Sequence, residues 1–248
     1  MKRIACALYG QPRFVNEGYS CIKKMLTLEN FEVDYYCHSY QGLQEYDSSP
    51  WSDGNSSSVL LNTKQNLTKL YNPVEIKVNR PFDKDLTWIY DSLIGKQTRN
   101  YQKEHNEAVY NNISNTASQL YSRASVGKLV HDSQIDYDFV VTTRYDFRVP
   151  FDTSFFDRVD NTKIYTNNSC GYINDNFLIM GQSDFLKIMN IYSHLPRIIN
   201  NKKLAVKLKS HDMDFIFNIE NLISISILYH HGDFGKLVRT SLLPENFR

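Results

Sequence analysis

Two short segments, residues 3–9 (RIACALY) and 138–144 (DFVVTTR), carry apolar residues at consecutive rather than alternate positions. A strand with one wet face alternates, whereas a strand apolar on both faces has to be covered on both. That condition is met by a parallel sheet clothed with helices. Further strands are expected over 31–39 (FEVDYYCHS), 74–78 (VEIKV), 163–166, 177–180 and 223–229 (ISISILY). Between them the apolar spacing turns helical. One helix is expected from a cap at Asn16 through Tyr19, Ile22, Met25 and Leu26. A long one is expected over 104–130, with Val109, Ile113, Ala117, Leu120, Ala124 and Leu129 on its apolar face and a break near Gly127. Others start at Ser183 and at Ser210, the latter with Met213, Ile216 and Phe217 turned inward. The alternation predicts an α/β fold, one Rossmann-like domain over 1–248 whose central, mostly parallel sheet is flanked by helices. The polar stretch 41–70 is expected to be a long mobile loop.

Charge and targeting signals restrict the partners. Lys and Arg number 28 and Asp and Glu 27, so the net charge of +1 gives no basis for nucleic-acid or acidic-membrane binding. The start, MKRIACALYG, is strand-length and lacks the longer apolar core of a signal peptide. No window approaches the roughly 20 apolar residues of a membrane span. The cysteines, Cys6, Cys21, Cys37 and Cys170, show no CxxC and no metal spacing, so a reduced, cytoplasmic protein is expected. Aromatic residues make up 13%, a surplus that serves core filling first and leaves rings for stacking on a base or sugar.

Several chemistries are missing their motifs. A Gly-rich loop ending in Lys-Ser/Thr, a GxGxxG after the first strand, a GxSxG elbow and HExxH are all absent. Polar residues stand instead at the carboxyl ends of expected strands, where open α/β sheets expose their ligands. These are Gly10, Gln11 and Arg13 after the first, His38 at the end of the second, Arg144 and Asp146 after the central one, and His230 and His231 after the last. A carboxylate just past a buried strand, such as Asp146, is placed to hold a divalent cation beside a diphosphate. Arg144 serves either a phosphate or an ion pair with Asp146, and Arg13 either a phosphate, a base or solvent.

The segments ALYGQPRF, VDYYCHSY, NTASQLYSRASVGKLV, YDFVVTTRYDFRV and NDNFLIMGQSDFLKIMNIY, in this order from residue 3 to about 192, resemble a group of GT-A glycosyltransferases. Its members build bacterial surface polysaccharides or, in some large DNA viruses, capsid glycans. In that group a Gly-x-x-Arg turn follows the first strand, a strand-two His or Trp faces the nucleotide, and Arg-x-Asp replaces Asp-x-Asp. The resemblance implies a GT-A-like domain that takes a nucleotide-sugar donor, UDP- or GDP-linked, and a glycan acceptor. It makes Arg144-Tyr145-Asp146 the metal and diphosphate element, with Mn²⁺ or Mg²⁺ as cofactor, and Asp175 with Asn176 a sugar- or acceptor-facing loop. The segment from His231 to Lys236 is similar in outline to the C-terminal His-Gly…Lys of some retaining members, which implies His231 as a metal ligand and Lys236 as a diphosphate contact. Residues 200–248 would complete the acceptor side.

The literal Asp-x-Asp at Asp212-Met213-Asp214 falls in an expected first helical turn, where residues i and i+2 diverge by about 200° and cannot chelate one ion. Asp175 and Asp212 are the candidate general bases that an inverting transfer requires. A sugar nucleotidyltransferase and a non-catalytic carbohydrate-binding protein are the alternatives to a glycosyltransferase.

Overall fold

The computed structural model describes residues 1–27, 30–48, 56–93, 106–148, 153–169, 172–211, 213 and 217–240. β1 (Lys2–Tyr9), β2 (Phe31–Tyr40), β5 (Glu75–Asn79), β6 (Phe139–Arg144), β7 (Ile164–Ser169), β8 (Tyr172–Met180) and β9 (Leu237–Thr240) form a seven-stranded sheet in the order β5-β2-β1-β6-β8-β7-β9. β8 runs antiparallel to both of its neighbours, and every other pairing in the sheet is parallel. β3 (Tyr46–Ser48) and β4 (Ser56–Ser58) pair as a separate antiparallel ribbon.

The two-sided apolar runs are explained by two helical layers. Ile4, Cys6 and Leu8 of β1 face α1 (Val15–Leu26) and α2 (Thr63–Tyr71), with Ile22, Met25, Leu67 and Tyr71 in the same core. Ala5, Ala7 and Tyr9 face the other layer. That layer comprises α3 (Thr87–Leu93), α4 (Asn106–Asp132), α5 (Gln182–Met189), α6 (Ile191–Ile199), α7 (Lys202–Ser210) and α8 (Ile219–His231). The expected α/β architecture, a mostly parallel sheet between helices, is therefore present. Burial desolvates the thiolates of Cys6 and Cys37 on the α1 side, and the Cys37 pKa is pushed up to about 12.

Several expected elements differ. Residues 223–229 belong to α8, a helix buried on all sides from Leu222 through Leu228. The alternating Ile and Ser imitate a strand, but Ser224 satisfies its buried hydroxyl by donating to the Glu220 carbonyl one turn back. The Asn218 side chain accepts from the Asn221 N–H at one end, and Gly232 at φ 82° closes the other. α7 ends at Ser210 instead of a helix starting there, because Asn201 caps it and Leu204 and Leu208 turn to the core. α1 starts two residues early, with Phe14 as its cap in a left-handed conformation, since the Phe14 N–H donates to Ser58. α4 passes Gly127 without a break, and a Cβ there would lie 3.3 Å from Met189 Cβ, so the glycine lets α5 approach. Within the expected loop over 41–70 the chain forms β3, β4 and α2, because Leu67 and Tyr71 are needed in the core.

No helix among the described residues is long and apolar enough to cross a membrane.

Candidate functional site

From β1 the chain passes through α1 to β2 and then to β5 on one side, and α4 carries it back to β6 on the other side. The order reverses between β1 and β6, and in open α/β sheets ligands bind in the crevice outside such a switch point. Tyr9 pairs with Arg144 at this edge, so the turns after β1 and after β6 leave the sheet side by side.

The turn after β1 is held from both sides. Gly10 adopts φ +105°, a conformation that favours glycine. Its N–H donates to Ser122 Oγ of α4 at 2.8 Å, and its carbonyl accepts from Ser39 Oγ of β2 at 3.0 Å. Ser122 Oγ also lies 2.7 Å from His38 Nδ1. Residues 58–60 strap the outer side: Leu60 N–H donates to Pro12, Phe14 N–H to Ser58, and Arg13 bridges Val59.

The turn after β6 carries Arg144 and Asp146. Tyr145 between them points inward, is fully buried, and donates its hydroxyl to the His38 carbonyl at 3.0 Å. With the middle residue anchored, its two neighbours remain partly exposed. Arg144 Nε donates to Asp146 Oδ1 at 3.0 Å and Nη2 to Oδ2 at 2.6 Å, a two-pronged ion pair. α1 presses on this turn through Gly18, where a Cβ would lie 1.7 Å from the Tyr145 carbonyl oxygen. The Arg148 guanidinium lies over the Phe14 ring at 4.3 Å, beside the start of α1.

Beside the turn after β1 a cavity of about 360 Å³ opens over the carboxyl ends of β1, β2 and β5. Gln11, Tyr40, Gln41, Phe82, Asn115 and Ser118 are among its lining residues. The Tyr40 ring is fixed by its hydroxyl, which donates to the Ser118 carbonyl at 2.8 Å. A concave site of this size with an aromatic wall and a few neutral polar groups suits a flat heterocycle and its sugar.

The expected site residues therefore separate. Gly10, Gln11, Arg13, Arg144 and Asp146 come together at the switch point. His38 does not line the cavity; it is fully buried beneath the Gly10 turn, where desolvation and then Lys77 lower its pKa to about 3. Asn176, expected in a loop with Asp175, is in strand β8, and its carbonyl accepts from Thr143 Oγ1 at 2.7 Å. Asp175 stands two residues before Phe177, the partner of Thr143, so its backbone is at the same edge; its side chain lies outside the described residues. Asp212 lies outside them entirely.

His231 and Lys236 are at the opposite edge of the sheet. Antiparallel β8 delivers the chain to the level of Val140, where β6 begins, and β9 starts there beside Ile164. Lys236 Nζ donates to Asp184 Oδ2 at 2.9 Å, and His231 Nε2 lies 3.4 Å from Asp184 Oδ1. This is a structural cluster at the base of α5. His231 cannot share an ion with Asp146, and Lys236 cannot touch a diphosphate bound there.

At this edge Asp146 is a carboxylate that could hold a divalent cation, and the backbone of Asp175 lies beside it, with that residue's side chain outside the described residues. Mg²⁺ and Mn²⁺ require several oxygen ligands. Both Asp146 oxygens accept from Arg144, and no group of three or more His, Cys, Asp or Glu able to hold an ion occurs among the described residues.

Sequence reasoning missed Ser122 and Tyr40. Ser122 sits in a helix whose polar positions read as solvent-facing, and only its approach to Gly10 reveals it. Tyr40 follows His38 by two in an extended strand and shares its face, a signal that was available.

No protein-family model matches the chain, and no curated protein sequence matches it. Among solved structures it is similar to the apo form of mouse xyloside xylosyltransferase 1, at 11% identity over 96% of this chain and 84% of that one, with a TM-score of 0.40. It is also similar to an active-site mutant of LgtC, at 12% identity over 97% and 72%, with a TM-score of 0.39. LgtC, a galactosyltransferase, in complex with donor and acceptor sugar analogs is similar at 11% identity over 97% and 73%, again with a TM-score of 0.39.

Proposed function

We propose that this protein is a glycosyltransferase that moves a sugar from a UDP- or GDP-linked donor to a glycan acceptor. The observation that carries this reading is an adjacency at one sheet edge. A neutral, aromatic-walled cavity over β1, β2 and β5 is lined by Gln11 and Pro12 of the turn after β1, and β1 pairs with β6, whose last residue is Arg144. Such an arrangement accommodates a nucleoside and the diphosphate attached to it. The ordered sequence resemblance to GT-A glycosyltransferases supports the same assignment.

In the reaction the anomeric C–O bond breaks and its electron pair stays on the terminal phosphate oxygen. An acceptor hydroxyl oxygen bonds to the anomeric carbon and gives up its proton. Positive charge fixed near the leaving diphosphate lowers the barrier because negative charge develops there. Arg144 and Arg13 are the groups assigned this work. Asp175, on the same edge by its backbone, is the assigned base for the acceptor proton in an inverting course; Asp212 is the second candidate. Surface polysaccharide or capsid glycan is the assigned acceptor class.

The test is a thermal-shift panel of UDP- and GDP-sugars, followed by transfer assays with the donor that binds. Ligand that binds only the folded chain raises its unfolding temperature, by about 2.7 kcal/mol of stability at a hundredfold excess over Kd. A panel without a shift for any nucleotide or nucleotide sugar removes the proposal.

A further inference from the structure

We infer that α7 docks this protein on an anionic lipid bilayer, its lysines meeting the headgroups and Val206 entering the boundary between headgroups and acyl chains. The inference stands apart from the glycosyltransferase reading and needs no substrate in the crevice.

The net charge of +1 conceals a segregation. From residue 185 to residue 211 the chain carries Lys187, Arg197, Lys202, Lys203, Lys207 and Lys209 and no Asp or Glu, so the remainder is net negative. The flanking acids are Asp184, buried against Lys236, and Asp212 beyond the C-terminal end of α7. Four of the six cations lie in α7, KKLAVKLKS. This helix is firmly seated. The Asn201 side chain accepts from the Leu204 N–H, Leu204 and Leu208 are buried, and Lys207 Nζ donates to the Gly232 carbonyl at 2.7 Å.

The outward face has a definite order. At about 100° per residue, Val206 projects opposite the midpoint of Leu204 and Leu208. Lys202 and Lys209 flank it on one side and Lys203 and Lys207 on the other. Val206 is 69% exposed, an aliphatic side chain at the apex of a ring of charge. A nucleic-acid backbone or an acidic peptide makes no use of that apex. A lipid surface uses both parts, because anionic headgroups attract the lysines while the apolar side chain leaves water. The cations of α7 are all lysine, point charges suited to laterally mobile headgroups, whereas fixed phosphates favour the arginine fork. The Lys207–Gly232 contact sets this end of α7 beside His231, at the sheet edge away from the Gly10 and Arg144 turns.

The experiment is co-sedimentation of the full chain with vesicles of phosphatidylcholine alone and of phosphatidylcholine with about 30% phosphatidylglycerol, in about 0.1 M salt. Each lysine at an anionic surface is worth about fivefold in binding. Binding to the anionic vesicles is therefore expected to exceed that to the neutral ones by about a hundredfold, and to be lost in about 1 M salt. Lys202→Gln, Lys203→Gln and Lys209→Gln combined are expected to weaken it by about a hundredfold, and Val206→Ser alone by about fivefold. All four positions are exposed and glutamine is a good helix former, so the triple variant is expected to unfold at the parent's temperature. A control of equal charge change on the opposite layer, Lys24→Gln, Lys64→Gln and Lys69→Gln, is expected to leave binding within about twofold. Equal losses in the two triple variants overturn the inference, since net charge and not α7 then drives binding. Duplex DNA or polyglutamate bound as tightly as the anionic vesicles at the same salt overturns it as well, because the patch then serves a polyanion and not a bilayer. Absence of sedimentation with anionic vesicles overturns it outright and leaves the glycosyltransferase reading, which nucleotide binding tests separately, untouched.

Discussion

Gly18 of α1 and the carbonyl of Tyr145 are in backbone contact, so close that a Cβ at position 18 would lie 1.7 Å from the oxygen and 2.8 Å from the carbonyl carbon. Glycine in an exposed helix is replaced by alanine with a gain of up to about 1 kcal/mol. Here the sign reverses. Gly18→Ala has to push α1 off the turn that carries Arg144 and Asp146, and overpacking of this kind costs about 1–3 kcal/mol. Urea denaturation is the measurement, and a neutral or stabilising result would show that the contact is looser than described.

His38 ties stability to pH. Its pKa is lowered to about 3 by burial and by Lys77, against an ordinary value of 6.5. The unfolded chain therefore takes up a proton between about pH 6.5 and pH 3 that the folded chain refuses. The contribution is complete above pH 6.5 and is lost as pH falls through that window, at about 1.4 kcal/mol per unit. His38→Gln removes the titrating group, so the difference in unfolding free energy between parent and variant changes with pH across this range. A constant difference from pH 7 to pH 4.5 would contradict the assignment.

Ser122→Ala withdraws one oxygen from both Gly10 N–H and His38 Nδ1. Leaving buried polar groups unpaired costs about 1–3 kcal/mol. Nucleotide affinity is expected to fall as well, because the Gly10 turn bears Gln11 and Arg13. A variant as stable as the parent, with unchanged nucleotide affinity, would refute the role of Ser122.

His231→Ala and Lys236→Ala separate the two edges of the sheet. Both are expected to leave UDP and GDP affinity unchanged. Lys236→Ala leaves the buried Asp184 carboxylate without its lysine and lowers stability by about 1–2 kcal/mol, discounted for the partial exposure of the lysine. Loss of nucleotide binding in either folded variant would place that residue back at the switch point.

Asn115→Trp fills the cavity from the exposed side of α4. The nucleotide-induced thermal shift should vanish while the unfolding free energy stays within about 0.5 kcal/mol of the parent. A shift that persists would move the nucleoside elsewhere.

The residues that could be read in advance share a property: their burial has a period. Ile4, Cys6 and Leu8 face one layer and Ala5, Ala7 and Tyr9 the other, so an unbroken apolar run means a central strand. α8 has no period to read. It is buried all round, and its Ile-Ser alternation mimics a half-exposed strand. The better signals were its ends, Asn218 and Gly232, which enclose thirteen residues, a helical length. Taking it for a strand moved His231 to the wrong edge.

The sequence by itself determined the α/β class, the positions of the central strands, and the placing of Gly10, Gln11, Arg13, Arg144 and Asp146 at strand ends, because these follow from local periodicity and turn chemistry. Only the tertiary structure decided that β8 runs antiparallel, that His231 and Lys236 therefore lie at the far edge, that Ser122 reaches Gly10, and that Asp146 is engaged by Arg144. Those relations join residues far apart in the chain or depend on the rotamers of near neighbours, and strand order and packing set them. Local pattern carries no information about either.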